Sequence, residues 1–139
     1  MGRLSWEEYA MTLAKSAALR SEDPFRKVGA CALSFSNKIL GAAYNGLKSG
    51  TNKDDVFWND RDGRRPYMIH AETNLLSLFK RDECRLIAVT LFPCECCAIQ
   101  IAAWNIPKVI YLEEYNNTIA SKSLDIFKFY NIEVENVVV

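Results

Sequence analysis

Histidine is almost missing from this chain. Of its 139 residues only His70 is one, so any chemistry that needs an imidazole has a single place to happen. An excess of charge is missing too: 17 basic residues face 17 acidic ones. Without a net positive charge, long nucleic acid is not an expected partner. A small anionic ligand remains possible, because two or three local cations can hold a phosphate. No apolar run reaches the length of about 18 residues that a membrane span needs. The N-terminal stretch "MGRLSWEEYAMTLAKS" carries acids where a signal peptide has an apolar block. The myristoylation pattern fails because position 6 is Trp. A cytoplasmic location is therefore expected. Five cysteines, an odd number without a secretory signal, argue against a disulfide framework and for metal binding or catalysis. Repeats, linkers and low-complexity segments are absent, and the length suits one domain over residues 1–139.

What is present alternates. "SWEEYAMTLAKSAALRS" reads as a helix opened by a Ser5–Glu8 capping box, with Trp6, Tyr9, Leu13 and Ala17, joined by Ala10 and Ala14, as its apolar stripe. Pro24 in "DPFRK" breaks it. "VGACALSF" and "KILGAAYN" read as a hairpin across the turn residues "SNK". Residues 46–66 hold Gly, Asn, Asp and charge without a sustained apolar period, and so long a loop in a small domain is usually functional or disordered. Then come a helix "HAETNLLSLFKR", a strand "RLIAVTLF", a helix "CECCAIQIAAWN" starting at or after Pro93, a strand "KVIYLEE", a helix "ASKSLDIFKFYN" ended by Asn131, and a strand "IEVENVVV". This order predicts an α/β fold: a five-stranded mixed sheet with parallel pairs and helices on both faces.

Two helix starts carry the chemistry. Cys94 and Cys97 are three apart at the head of a helix, so both sulfurs can reach one ion. A helix N-terminus favours thiolate over thiol. His70, also opening a helix, is the available third ligand. Three protein ligands with one open position is the catalytic arrangement of zinc, and such an ion lowers the pKa of a bound water to roughly 7. Glu72, in the same first turn as His70, is placed to move a proton, and small Ala71 between them leaves room for a ring. Cys96 points elsewhere and is read as packing. A lone histidine usually has no role, and C-x-x-C alone can be redox-active or structural; it is the conjunction that is specific. A fourth ligand would make the site structural. Cys31 and Cys84 could supply one, but one sits in the first strand and the other before the buried strand, at the end opposite the site.

The combination H-x-E…P-C-x-x-C is the signature of zinc deaminases. With "DPFRKVGAC", "AAYNG", "DDVFW", "RPYMIHAETNLL" and "LFPCECCA", the sequence from about Trp6 to Tyr130 resembles the deoxycytidylate (dCMP) deaminase family. The resemblance implies the three-layer α-β-α cytidine-deaminase-like fold and zinc-dependent hydrolysis of dCMP to dUMP and ammonia, supplying dUMP for dTMP synthesis. Zinc ligands then fall on His70, Cys94 and Cys97 and the proton shuttle on Glu72. Asn45 becomes a candidate for the sugar hydroxyl, Arg26 and Lys27 for the 5′-phosphate, and Tyr115 for a position near it. The resemblance also implies a homo-oligomer, commonly a hexamer, activated by dCTP and inhibited by dTTP. Gly46, Lys48, Asp55 and Trp58 of the long loop are the regulatory candidates, with Mg2+ accompanying the triphosphate. Glu95 and Cys96 depart from the common P-C-N-E-C form of the second motif. The rivals are another deaminase of the same fold (acting on transfer RNA adenosine, free cytidine or guanine) and a non-catalytic zinc or nucleotide-binding module.

Overall fold

A computed structural model describes residues 2–114 and 117–139, with the side chains of 117–121 outside that description. The elements are α1 (Trp6–Ala18), β1 (Gly29–Ser34), β2 (Ile39–Tyr44), α2 (Asp55–Asn59), α3 (Arg61–Arg64), a 3-10 turn (Arg65–Tyr67), α4 (Ala71–Leu76), β3 (Cys84–Leu91), α5 (Glu95–Ala103), β4 (Lys108–Glu113), α6 (Asn117–Phe129) and β5 (Glu133–Asn136). The strands form one sheet in the order β2-β1-β3-β4-β5. The β1–β2 and β1–β3 pairs are antiparallel, β3–β4 and β4–β5 parallel. This is the expected mixed sheet.

The central strands are apolar throughout because both of their faces are covered. Along β1, Ala30 and Ala32 join one core while Cys31 and Leu33 join the other. Along β3, Ile87 and Val89 face the first core and Leu86 and Ala88 the second. Residues of α4, α5 and α6 close the first core; Ala10, Met11 and Ala14 of α1 close the second.

Helix α1 begins with the expected reciprocal capping box: Ser5 Oγ accepts from Glu8 N, and Glu8 accepts from Ser5 N. Its buried face is only partly the expected one: Ala10 and Ala14 of that stripe are in it. Ala10, Met11, Ala14 and Ala18 are buried, while Trp6 and Tyr9 remain 49% and 36% exposed. Gly29 is the reason. A Cβ there would lie 1.9 Å from the Ala14 carbonyl oxygen, so helix and strand touch backbone to backbone, and only small side chains fit between them.

The 46–66 segment is more ordered than its pattern suggested. Asp54 and Asp60 cap α2 and α3 through their carboxylates, and Trp58 and Arg64 are buried. A bridge between Gly46 and Ile69 closes its base. Helix α4 is shorter than its apolar pattern. Ser77 Oγ bonds the Asn74 carbonyl, and Leu78 N turns to Leu75 O, which tightens the last turn and ends the helix. Asn131 stops α6 with a left-handed φ of 58°, as expected at a helix end.

Candidate active site

Parallel strand β3 delivers the chain to Pro93 and Cys94 at its C-terminal end, the usual place for a ligand crevice in an α/β sheet. Cys94 is the N-cap of α5 and His70 the N-cap of α4; neither makes a side-chain cap hydrogen bond. Both side chains turn toward each other instead. His70 Nδ1 lies 3.3 Å from Cys97 Sγ and 3.5 Å from Cys94 Sγ. Tetrahedral zinc, with bonds of about 2.3 Å to sulfur and about 2.0 Å to nitrogen, separates such ligands by about 3.6 Å. Among the described residues, these three form the group that could hold a metal.

The electrostatics fit a cation there. The hydrogen bond from Cys97 and then the imidazole of His70 pull the Cys94 thiol down to about 4, although burial opposes them. The same sulfur-to-sulfur hydrogen bond, together with burial and nearby Glu72, pushes the Cys97 thiol up. The bond to Cys94 raises His70 against the effect of burial. Cys31 and Cys84, pushed by burial to about 11 and about 12, are inert core thiols outside the cluster. Cys96 is exposed, not packed as its position between two ligands suggested: at N2 of α5 its side chain leaves the ligand face for solvent.

Glu72 is only 4% exposed, and burial raises its carboxyl to about 7. It lines a cavity of about 420 Å3 together with His70, Ala71 and Cys94, within the size range of small-molecule sites. Arg26, Arg61, Arg64 and Arg65 line it as well. A chain of zero net charge thus concentrates four guanidinium groups on the cavity that holds its candidate metal ligands.

The other expected residues are placed as follows. Arg26 lines the cavity and pairs with Glu113 at 3.1 Å. Lys27 does not line it. Its Nζ donates to the Ser21 carbonyl, and the residue lines a neighbouring space of about 340 Å3. Asn45 reaches the cavity wall, but its amide is occupied. Oδ1 accepts from Ser21 Oγ and Val28 N, and Nδ2 donates to Arg26 O and Asp23 Oδ2. With its donors and acceptor sites filled, it anchors the 21–28 loop. Tyr115 lies outside the described residues. Trp58 is buried with the Arg64 guanidinium 5.4 Å from its ring, so it is not the exposed stacking platform expected for a regulatory base. Gly46 is spent on the Ile69 bridge, whereas Lys48 and Asp55 are exposed. Sequence reasoning missed Asp23, Arg61, Arg64 and Arg65, although the first sits in the quoted "DPFRK" and the last two precede Pro66.

Residues 4–113 match the cytidine and deoxycytidylate deaminase zinc-binding region. The chain belongs to the cytidine and deoxycytidylate deaminase family. It is 37% identical over 118 residues to human deoxycytidylate deaminase, covering 80% of this chain and 66% of that protein. It is 32% identical over 130 residues to the deoxycytidylate deaminase of Mycobacterium phage D29, covering 82% of this chain and 99% of that one. The chain thus spans just under two thirds of the human relative and nearly all of the phage one. The crystal structure of dCMP deaminase from cyanophage S-TIM5 in complex with dCMP and dUMP superposes with a TM-score of 0.79. That match is 26% identical and covers 99% of this chain and all of the other. The expected cytidine-deaminase-like fold is therefore the observed one.

Proposed function

We propose that this chain hydrolyses dCMP to dUMP and ammonia. The observation that carries the reading is Glu72, buried beside the His70–Cys94–Cys97 cluster in a cavity that four arginines also line. Zinc, when bound by those three residues, supplies an electrophile that activates water for attack on C4 of the ring. Glu72 accepts the proton that this water loses and delivers it to ring N3. It then takes the remaining proton from the new C4 hydroxyl and gives it to the amine, which leaves C4 as ammonia while the oxygen stays as the new carbonyl. Ala71 leaves space for the ring beside that carboxylate. Arg26, with Arg61 and Arg65 across the cavity, meets the 5′-phosphate; Lys27 stands outside this set. Asn45 serves by holding the loop that carries Arg26.

The finer part of the proposal is control. A homohexamer activated by dCTP with Mg2+ and inhibited by dTTP would use the 46–66 segment, where Lys48 and Asp55 remain available to a triphosphate and its metal. A ligand can act there only by binding two states unequally, with a coupling of about 1–3 kcal/mol. Activation by dCTP should lower the KM for dCMP and dTTP should raise it; curves unchanged by either nucleotide would remove this part.

The deciding experiment assays the zinc-loaded protein on dCMP, deoxycytidine, CMP and guanine, following ammonia release. Turnover is expected to favour dCMP. No turnover of dCMP with brisk turnover of another base would assign the site to a different deaminase of this fold. Tight zinc with no turnover of any of them would leave a binding module.

A further inference from the structure

Arg64 and Asp23 form a buried bidentate pair on the cavity wall. Nη1 donates to Oδ2 at 3.0 Å and Nη2 to Oδ1 at 2.8 Å, with the side chains 4% and 7% exposed. The guanidinium also lies 5.2 Å from the Phe25 ring and 5.4 Å from the Trp58 ring. Such planar stacking and forked bonding suit arginine and not lysine. Asp23 Oδ1 at the same time accepts from the backbone N–H groups of Phe25 and Arg26, at 2.8 and 3.1 Å. Its Oδ2 lies 3.4 Å from the amide nitrogen of Asn45. This carboxylate therefore ties Arg64 of the 46–67 segment and Asn45, just after β2, to the loop that bears Arg26.

Buried ion pairs add little net stability, because desolvation offsets the attraction, and replacing both partners with uncharged groups is often neutral. The pair's presence at this point is better explained by what it positions. We propose that Arg64, acting through Asp23, sets the geometry of the 21–28 loop and so the phosphate end of the cavity: it is a positioning residue for the nucleotide. This rests on the deaminase reading for its kinetic consequence and not for its structural one. It also gives the 46–67 segment a direct mechanical route to the substrate, since Arg61 and Arg64 of α3 both lie over the Phe25 ring of that loop.

Removing one partner alone would leave an uncompensated buried charge and endanger the fold, so the test uses the double variant Arg64→Met with Asp23→Asn. The zinc-loaded double variant should melt close to the unsubstituted protein and keep its full zinc content. Its KM for dCMP should rise about tenfold with kcat changed by less than about threefold, and its KM for deoxycytidine should rise less, as expected when binding and not the chemical step is lost. Independently of turnover, hydrogen exchange at the amides of Phe25 and Arg26 should speed up about tenfold or more, because they lose the anchored carboxylate. A double variant with unchanged KM and unchanged exchange would make the pair a structural filler and overturn the proposal. If the unsubstituted protein does not turn over dCMP, the deaminase reading fails separately. The exchange rates then decide the positioning claim alone.

Discussion

His70 and Cys94 cap helices α4 and α5 without a side-chain hydrogen bond to the helix each one caps. N-caps are ordinarily Ser, Thr, Asp or Asn, whose oxygen satisfies a free N–H and contributes about 0.5–2 kcal/mol. Here both caps are given to side chains that face each other and Cys97. The fold therefore forgoes cap energy that a bound metal restores. The prediction is a reversal. In metal-free protein, His70→Asn should be more stable than the unsubstituted chain by about 1 kcal/mol, because Asn can cap α4. In the presence of zinc it should be less stable and hold well under one equivalent. Thermal melts with and without a chelator, together with metal analysis, read both halves.

Glu72 separates metal binding from proton transfer. It is buried and lies outside the three-residue cluster. Glu72→Gln keeps the volume and a hydrogen-bonding end but cannot cycle a proton. Zinc content and melting should stay close to those of the unsubstituted protein, while kcat for dCMP falls by about 10²-fold or more. Steady-state kinetics with metal analysis on the same preparation would expose a different shuttle if kcat survived.

Arg26 and Lys27 are adjacent in sequence and were equal candidates for the phosphate, yet only Arg26 lines the cavity with His70 and Glu72. Lys27 is spent on the Ser21 carbonyl. Arg26→Ala should raise KM for dCMP about tenfold or more and leave deoxycytidine nearly unaffected, since only the nucleotide offers a charge-assisted partner. Lys27→Ala should change the two substrates alike and weakly. Equal behaviour of the two variants would place the phosphate elsewhere, with Arg61 and Arg65 next to be examined.

How far the sequence could be read depended on how local the physics is. The Ser5–Glu8 capping box and the Asn131 stop are set by residues within one turn of each other, and both are visible as letters. The ligand set was legible because H-x-E and P-C-x-x-C place each side chain at a helix start, where few conformations are open. The buried face of α1 was not. Two overlapping apolar arcs exist on that helix, and periodicity cannot choose between them; the missing side chain of Gly29, beyond the end of the helix, does. The Asp23–Arg64 pair was invisible for a similar reason. Its partners lie 41 residues apart, one in a loop and one at the end of the short helix α3, and only the tertiary fold makes them one object. The burial of Trp58 against Arg64 was out of reach for the same reason, since its partner is brought to it by the tertiary fold.

That pair also carries a pH dependence. Burial pushes the Asp23 carboxyl up, but the Arg64 guanidinium and the N–H groups of Phe25 and Arg26 outweigh it and hold the group below the ordinary aspartate value. A carboxyl whose folded-state pKa is depressed binds fewer protons when folded than when unfolded. Stability therefore rises with pH through the window between the two values. The contribution is complete above the unfolded value of about 3.9 and is lost as pH falls through the lower, folded one. The unsubstituted protein should lose melting temperature steeply on acidification below about pH 4. The Arg64→Met, Asp23→Asn double variant has no carboxyl there to protonate, so its decline over the same range should be shallower, and the two curves should converge toward low pH. Melting curves from pH 6 down, at fixed ionic strength and in metal-free protein so that loss of zinc does not enter, measure the difference, because titration of Cys94 is common to both proteins. Parallel curves would mean that Asp23 is protonated alike in the folded and unfolded chains, and that the guanidinium does not hold its charge.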